Sequence, residues 1–132
     1  MELEIRQSAL AVIFAAARAA HPFEACGLLL GSGNRIERAV PAANVAPDPA
    51  VHFEVDPASL IAAHRAARDG SAPDVAGYFH SHPNGLARPS ATDAECAAHD
   101  GRVWVIVADG AITCWSDGTD GFEPLSYEVT HG

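Results

Sequence analysis

Apolar and polar positions alternate from Leu3 to Ile5, which predicts a short first strand. The spacing then changes. Leu10, Ile13, Phe14 and Ala17 recur at helical intervals and mark one buried face of a helix, with Ser8 placed to cap it. Pro22 ends that helix by biasing His21 away from the α region. Cys26 to Gly31 is a short apolar run bounded by glycine, the pattern of a buried strand. Ser32-Gly33-Asn34 has turn chemistry, and Arg35 to Val40 alternates as the return strand of a hairpin. Pro41 to Ala50 carries three prolines and reads as a loop.

Val51 to Val55 alternates again and predicts a strand. Asp56 as N-cap and Pro57 at the first helical position predict a helix over Ala58 to Arg68, closed by Gly70 to Pro73. Val75 to Phe79 is a third apolar strand running into His80-Ser81-His82-Pro83, and Asn84 to Pro89 is a loop. Thr92 and Glu95 form a capping-box pair for a short helix up to about His99. Arg102 to Val107 is a strongly apolar strand, Asp109-Gly110 a hairpin turn and Ala111 to Trp115 its partner. Ser116 to Gly121 reads as a loop and Phe122 to Val129 as a last strand. No repeat, linker or low-complexity block interrupts the pattern. The expected architecture is one domain over residues 1–132, of the α/β class, with a single mixed sheet flanked by helices.

Composition narrows the function classes. At 132 residues and 48% hydrophobic, the chain has the make-up of one compact domain rather than a disordered one. No window approaches the ~18 apolar residues of a membrane span. The Ala-rich stretch Ala9 to Ala20 follows an acidic start and is broken by Arg18, unlike a signal peptide. A cytoplasmic protein that does not act on membranes is therefore expected. The net charge is −9 and all eight cations are arginines without a basic run, which argues against a nucleic-acid partner. Cys26, Cys96 and Cys114 lack C-x-x-C spacing, so reduced, mostly buried thiols are expected rather than disulfides or a zinc finger. Oligomeric state is not legible.

The chemistry sits at the end of the third apolar strand. His80 and His82 are two apart, so both imidazoles leave the same face, and Ser81 points the other way. Two imidazoles converging on one point suit Zn²⁺, although an H-x-H alone is equally two ordinary histidines. Asp93 lies just past the following loop, in the first turn of the short helix. There it either complements the helix dipole or comes back over the strand end as a third ligand. Two histidines and one carboxylate would leave a fourth position for water, the catalytic zinc pattern. Ser90 reads either as a helix cap or as a donor to a developing oxyanion. Glu24 reads either as a solvated loop residue or as the base that such a site needs.

Taken together, Glu24, His80-Ser81-His82-Pro83, the seven residues Pro83 to Pro89, and Ser90-Ala91-Thr92-Asp93 resemble the JAMM (MPN+) metalloprotease motif. Every motif position holds the expected residue. Glu24 to Gly31 and Gly77-Tyr78-Phe79 also look like that family, in its compact stand-alone bacterial form. The resemblance implies a JAMM/MPN, cytidine-deaminase-like fold and one Zn²⁺ per chain held by His80, His82 and Asp93. It implies Glu24 as general base and Ser90 as the residue that steadies the tetrahedral intermediate. The implied reaction is hydrolysis of an amide after the C-terminal glycine of a ubiquitin-like or sulfur-carrier protein with a Gly-Gly tail.

Competing readings are the same chemistry on another amide (a cell-wall or phage-tail peptide, or a small molecule), a non-catalytic MPN scaffold, and a RadC-like protein. Scaffold relatives lose ligands that are present here, and RadC-like proteins add a region for which this chain has no room. His21, His64, His99 and His131 are expected to be ordinary histidines. His52 is less settled, because it precedes the aromatic Phe53 where relatives carry a basic residue. Trp104 and Trp115 are expected to face each other across the hairpin as core residues, and Arg88 to be a solvated loop residue.

Overall fold

The computed structural model describes residues 2–131. Its strands are β1 (Leu3–Arg6), β2 (Cys26–Ser32), β3 (Arg35–Ala42), β4 (Val75–Ser81), β5 (Val103–Ala108), β6 (Ala111–Gly118), β7 (Gly121–Leu125) and β8 (Tyr127–Thr130). The helices are α1 (Gln7–Ala20), α2 (Pro57–Arg68) and α3 (Ala91–Cys96). The strands form one mixed sheet in the order β7-β6-β5-β4-β2-β3-β1-β8. β4 is antiparallel to β2 and parallel to β5, and β1 is parallel to both β3 and β8.

β7 and β8 lie at opposite ends of that order, yet only Ser126 separates them in the chain. One residue reaches less than ~4 Å, so the sheet curls until its two edges meet. α1 fills the concave side. Ala9 and Ile13 are buried there with Leu3, Ile5, Leu29, Ile36, Phe79 and Val105, and Leu10, Phe14 and Ala17 pack against them at the predicted spacing. Full burial of each large side chain stabilises by about 1.5–3 kcal/mol. α2 covers a second, smaller cluster of Leu28, Leu30 and Val75, with Leu60 and Ala63 on its inner face. Asp56 caps α2 through Ala58 N–H, with Pro57 at its start, as the sequence predicts.

The centre of the sheet is tightly joined. A Cβ on Gly77 would strike the Val103 carbonyl, so β4 and β5 approach as closely as they do only because residue 77 is glycine.

Several expectations need correction. Arg6, not Ser8, is the N-cap of α1, and no side chain caps that helix. Val51 to Val55 is not a strand; only Val55 bridges, to Asn44. The capping box of α3 pairs Ser90 with Asp93, not Thr92 with Glu95, and the helix stops at Cys96 rather than near His99, which has φ 56°. Residues 116–118 continue β6 instead of forming a loop, and the predicted last strand is two strands. Pro124 offers no N–H to a continuing ladder. Past Leu125, which still pairs with Cys114, the chain leaves β6 and pairs with β1, Leu3 N–H donating to Ser126 O at 3.0 Å.

Candidate metal centre and active site

β4 ends in the residues that matter. His80 lies in the strand and His82 directly after it, where its N–H donates to Val107 O. Both are buried, with Asp93 and Glu24 beside them; relative exposures are 0% for His80, 5% for His82, 2% for Asp93 and 5% for Glu24. Four ionisable groups withdrawn from water together are costly unless something binds them.

Three electron-pair donors converge. His80 Nε2 and His82 Nε2 are 3.0 Å apart, and Asp93 Oδ2 is 3.1 Å from each. Ligand atoms bound tetrahedrally to zinc at ~2.0–2.2 Å lie roughly 3.3–3.5 Å from one another, so this triangle is close to the size an ion requires. The outer contacts prepare it. His82 Nδ1 is 2.7 Å from the Leu86 carbonyl, which can only accept. The ring therefore carries its proton on Nδ1 and turns the Nε2 lone pair inward. His80 is fixed by the Phe53 ring stacked at 4.3 Å. Zinc fits this donor set, one ion per chain.

Asp93 and Ser90 serve the helix and the cluster at once. Ser90 Oγ accepts from Asp93 N–H at 3.0 Å, while Asp93 Oδ2 accepts from Ser90 N–H at 2.9 Å. Both residues thus cap the helix, as one of their two readings expects. The Ser90 hydroxyl proton is uncommitted by that bond.

Electrostatics follow from the packing. Burial alone would raise Asp93, but its contacts with the His80 and His82 rings and the Ser90 N–H outweigh it and hold the carboxyl well below the usual range. Burial lowers His80 and keeps it neutral. Burial also depresses His82, yet its bonds to Asp93 and Leu86 win and raise it. Glu24 is pushed up to about 7 by burial, partly offset by His82. Its Oε1 has no hydrogen-bond partner among the described residues. One carboxylate oxygen of Glu24 and a nitrogen from each of the two rings lie within 4.8 Å of one another.

Two positioning residues carry no sequence signal of their own. Ser81 does point away from the rings as expected, but its Oγ accepts from Ala25 N–H at 2.8 Å and its N–H donates to Ala25 O. It ties the residue after Glu24 to the strand between the histidines. Asn44, in the proline-rich loop, donates to Glu24 O and His52 O and accepts from Ala46 N–H and Glu54 N–H, all at 3.0–3.1 Å. It holds the base candidate and the Phe53 segment in one clasp. Asn44→Ala is expected to cost about 2 kcal/mol and to lower kcat more than it raises KM, read by urea denaturation beside steady-state kinetics.

Among the remaining sequence candidates, Trp104 stands edge-on to the His80 ring at 5.6 Å and Arg88 lines the cleft beside Glu24 and Ser90. His52 Nε2 is 3.3 Å from Cys96 Sγ. His131 Nδ1 reaches Gln7 Oε1. Trp104 and Trp115 are register partners on β5 and β6, with Trp104 buried and Trp115 half-buried. All three cysteines are free, Cys26 and Cys114 buried but Cys96 exposed.

Residues 6–118 match the Prok-JAB family, the prokaryotic homologs of the JAB domain. The chain belongs to that family. It is 37% identical over 111 residues to the desampylase of Haloferax volcanii, covering 82% of this chain and 79% of that one. It is 38% identical over 73 residues to a probable TtuB-protein conjugate cleaving protease of Thermus thermophilus, covering 54% and 47%. It is 35% identical over 95 residues to tail tip assembly protein K of Escherichia phage N15, covering 71% of this chain but 36% of the phage protein. Among solved structures, a Desulfitobacterium hafniense protein superposes with TM-score 0.86 at 29% identity, covering 98% and 94% of the two chains. A JAB1/MPN domain protein from Archaeoglobus fulgidus gives 0.66 at 23%, covering 98% of each, which shows the shared fold. The expected JAMM/MPN architecture is therefore present, and the chain is a JAMM-type zinc metallopeptidase.

Proposed function

We propose that this enzyme hydrolyses an amide after the C-terminal glycine of a ubiquitin-like or sulfur-carrier protein. The observation that carries the reading is the buried cluster of Glu24, His80, His82 and Asp93 with a cleft on each side. One cavity of about 390 Å³ is lined by Glu24, Val51, Leu86 and Ser90, another of about 540 Å³ by Phe14, Arg18 and Phe23, and the two meet at His82 and Pro83. An extended tail can lie across that junction with its amide over the cluster. Phe23, Val51 and Leu86 are exposed large apolar residues at its rim, suited to a folded protein substrate. The names of the Haloferax and Thermus relatives support the substrate class.

In this reading His80, His82 and Asp93 hold the zinc. A zinc ion there acidifies water toward a pKa of ~7 and polarises a carbonyl. Glu24 accepts the proton of the attacking water and passes it to the leaving amine. The Ser90 hydroxyl donates to the carbonyl oxygen as it gains charge, while its Oγ stays anchored to Asp93 N–H. The domain acts as one unit over residues 1–132, in the cytoplasm, without nucleic-acid or membrane partners. Among the described residues no helix is long and apolar enough to cross a membrane.

The test is cleavage of ubiquitin-fold carriers extended past Gly-Gly, followed by intact mass. Loss of the extension with zinc and none with chelator is expected. Stoichiometric zinc with no carrier cut would overturn the substrate class and leave the metal centre standing. The phage tail relative favours a second reading, hydrolysis of another peptide amide, and a cell-wall peptide belongs in the same assay.

A further inference from the structure

Behind His80 lies a separate cavity of about 300 Å³, between the 52–55 segment, β4, β5 and the loop after α3. Three of its walls are aromatic: Phe53, Tyr78 and Trp104. It adjoins the metal centre through shared walls. Phe53 stacks on His80 and meets Trp104 edge-on at 5.5 Å, and Trp104 is 5.6 Å from the His80 ring.

Two lining residues carry polar atoms that nothing satisfies. Trp104 is 4% exposed and Asp117 1% exposed, and neither Trp104 Nε1 nor Asp117 Oδ1 has a hydrogen-bond partner among the described residues. Asp117 Oδ2 accepts from His99 N–H. His99 Nδ1 lies 2.9 Å from Gly118 O and 3.6 Å from Asp117 Oδ1, on a ring that is itself half exposed. Asp100, also in the lining, is already paired with Arg102 at 2.7 Å. A buried carboxylate oxygen without a hydrogen-bond partner is costly, and aromatic faces beside it favour a positive charge.

We propose that this cavity is a subsite for a basic side chain, lysine or arginine, of the peptide substrate. The ammonium or guanidinium pairs with Asp117 Oδ1 among the aromatic rings, and a peptide carbonyl of the same segment accepts from Trp104 Nε1. The inference rests on the peptidase reading only in taking the ligand to be part of a peptide, and binding tests it independently of whether Gly-Gly tails are cut.

The zinc-loaded, ¹⁵N-labelled protein is titrated with acetyl-Gly-Lys-Gly-amide, its norleucine analogue and butylamine, following the two indole N–H signals. The lysine peptide is expected to shift the Trp104 signal saturably and to leave that of Trp115, bonded to Thr113 Oγ1, in place. Norleucine is expected to bind about tenfold more weakly. Asp117→Asn is expected to reduce lysine to the norleucine level, with turnover of substrates lacking a basic residue unchanged. Equal binding of lysine and norleucine overturns the proposal, as does no saturable Trp104 shift. Butylamine binding as tightly as the peptide overturns it in favour of a free-amine site. The wild-type comparison decides even where Asp117→Asn does not fold.

Discussion

Glu24→Gln is expected to keep its zinc and to lose hydrolysis by about two to four orders of magnitude, the usual worth of a placed general base. Gln has the same shape and stays uncharged, so the triangle of His80, His82 and Asp93, which does not include it, is undisturbed. Stability of the chelated protein should move the other way. Burial raises Glu24 from 4.5 to about 7. A carboxyl raised on folding contributes stability that is fully present below its unfolded pKa and is lost as pH rises through the folded one. Glu24 therefore contributes a loss of stability between about pH 4.5 and pH 7 that Glu24→Gln lacks. At pH 8 the variant should be the more stable by roughly 1 to 3 kcal/mol. Zinc content, turnover, and urea denaturation at pH 5.5 and pH 8 measure the three effects. Retained hydrolysis would remove Glu24 from the mechanism, and lost zinc would make it a ligand.

That such a variant can be chosen at all reflects how local the chemistry is along the chain. His80 and His82 share a strand end, so the two-residue period already places their rings on one face. Asp93 is legible for a similar reason, since a helix start one loop later returns the chain over the strand. Glu24 is different. Its spacing from His80 says nothing about distance, and only the pairing of Cys26 with His80 across β2 and β4 brings it in. Resemblance to a family supplied what local pattern did not. Ser81 and Asn44 lie beyond both, because their roles consist of hydrogen bonds to backbone, 56 residues away for Ser81 and 2 to 20 residues away, in segments with no period, for Asn44. Asn44 also explains the false strand at 51–55. The alternation of Val51, Phe53 and Val55 is real, but Phe53 turns in against His80, and the Asn44 side chain satisfies His52 O and Glu54 N–H in place of a neighbouring strand. At the other end, an apolar run with Pro124 in it reads as one strand. The switch of partner from β6 to β1 depends on sheet closure, which no window of sequence contains.

Asp93→Ala is expected to abolish stoichiometric zinc binding, weakening it beyond the 10- to 100-fold seen when only an outer contact to a ligand is lost. It should also destabilise the metal-free chain by about 1 kcal/mol, because Ser90 N–H loses its half of the capping box. Two companions separate these effects. Asp93→Asn keeps an acceptor for Ser90 N–H and removes the charge, so α3 should survive while zinc affinity falls. Ser90→Ala removes the acceptor for Asp93 N–H and should lose about 1 kcal/mol with zinc retained and turnover slowed. Elemental analysis reports the metal, and thermal unfolding with and without added zinc reports the linkage. A ligand at a thousand times its Kd stabilises by about 4 kcal/mol, so the wild-type Tm should rise with zinc and that of Asp93→Ala should not. The decisive alternative is built into the site itself. Glu24, His80 and His82 also bring one donor atom each within 4.8 Å of one another. A full complement of zinc in Asp93→Ala would assign the metal to that trio, and the proton transfer would then need a base other than Glu24.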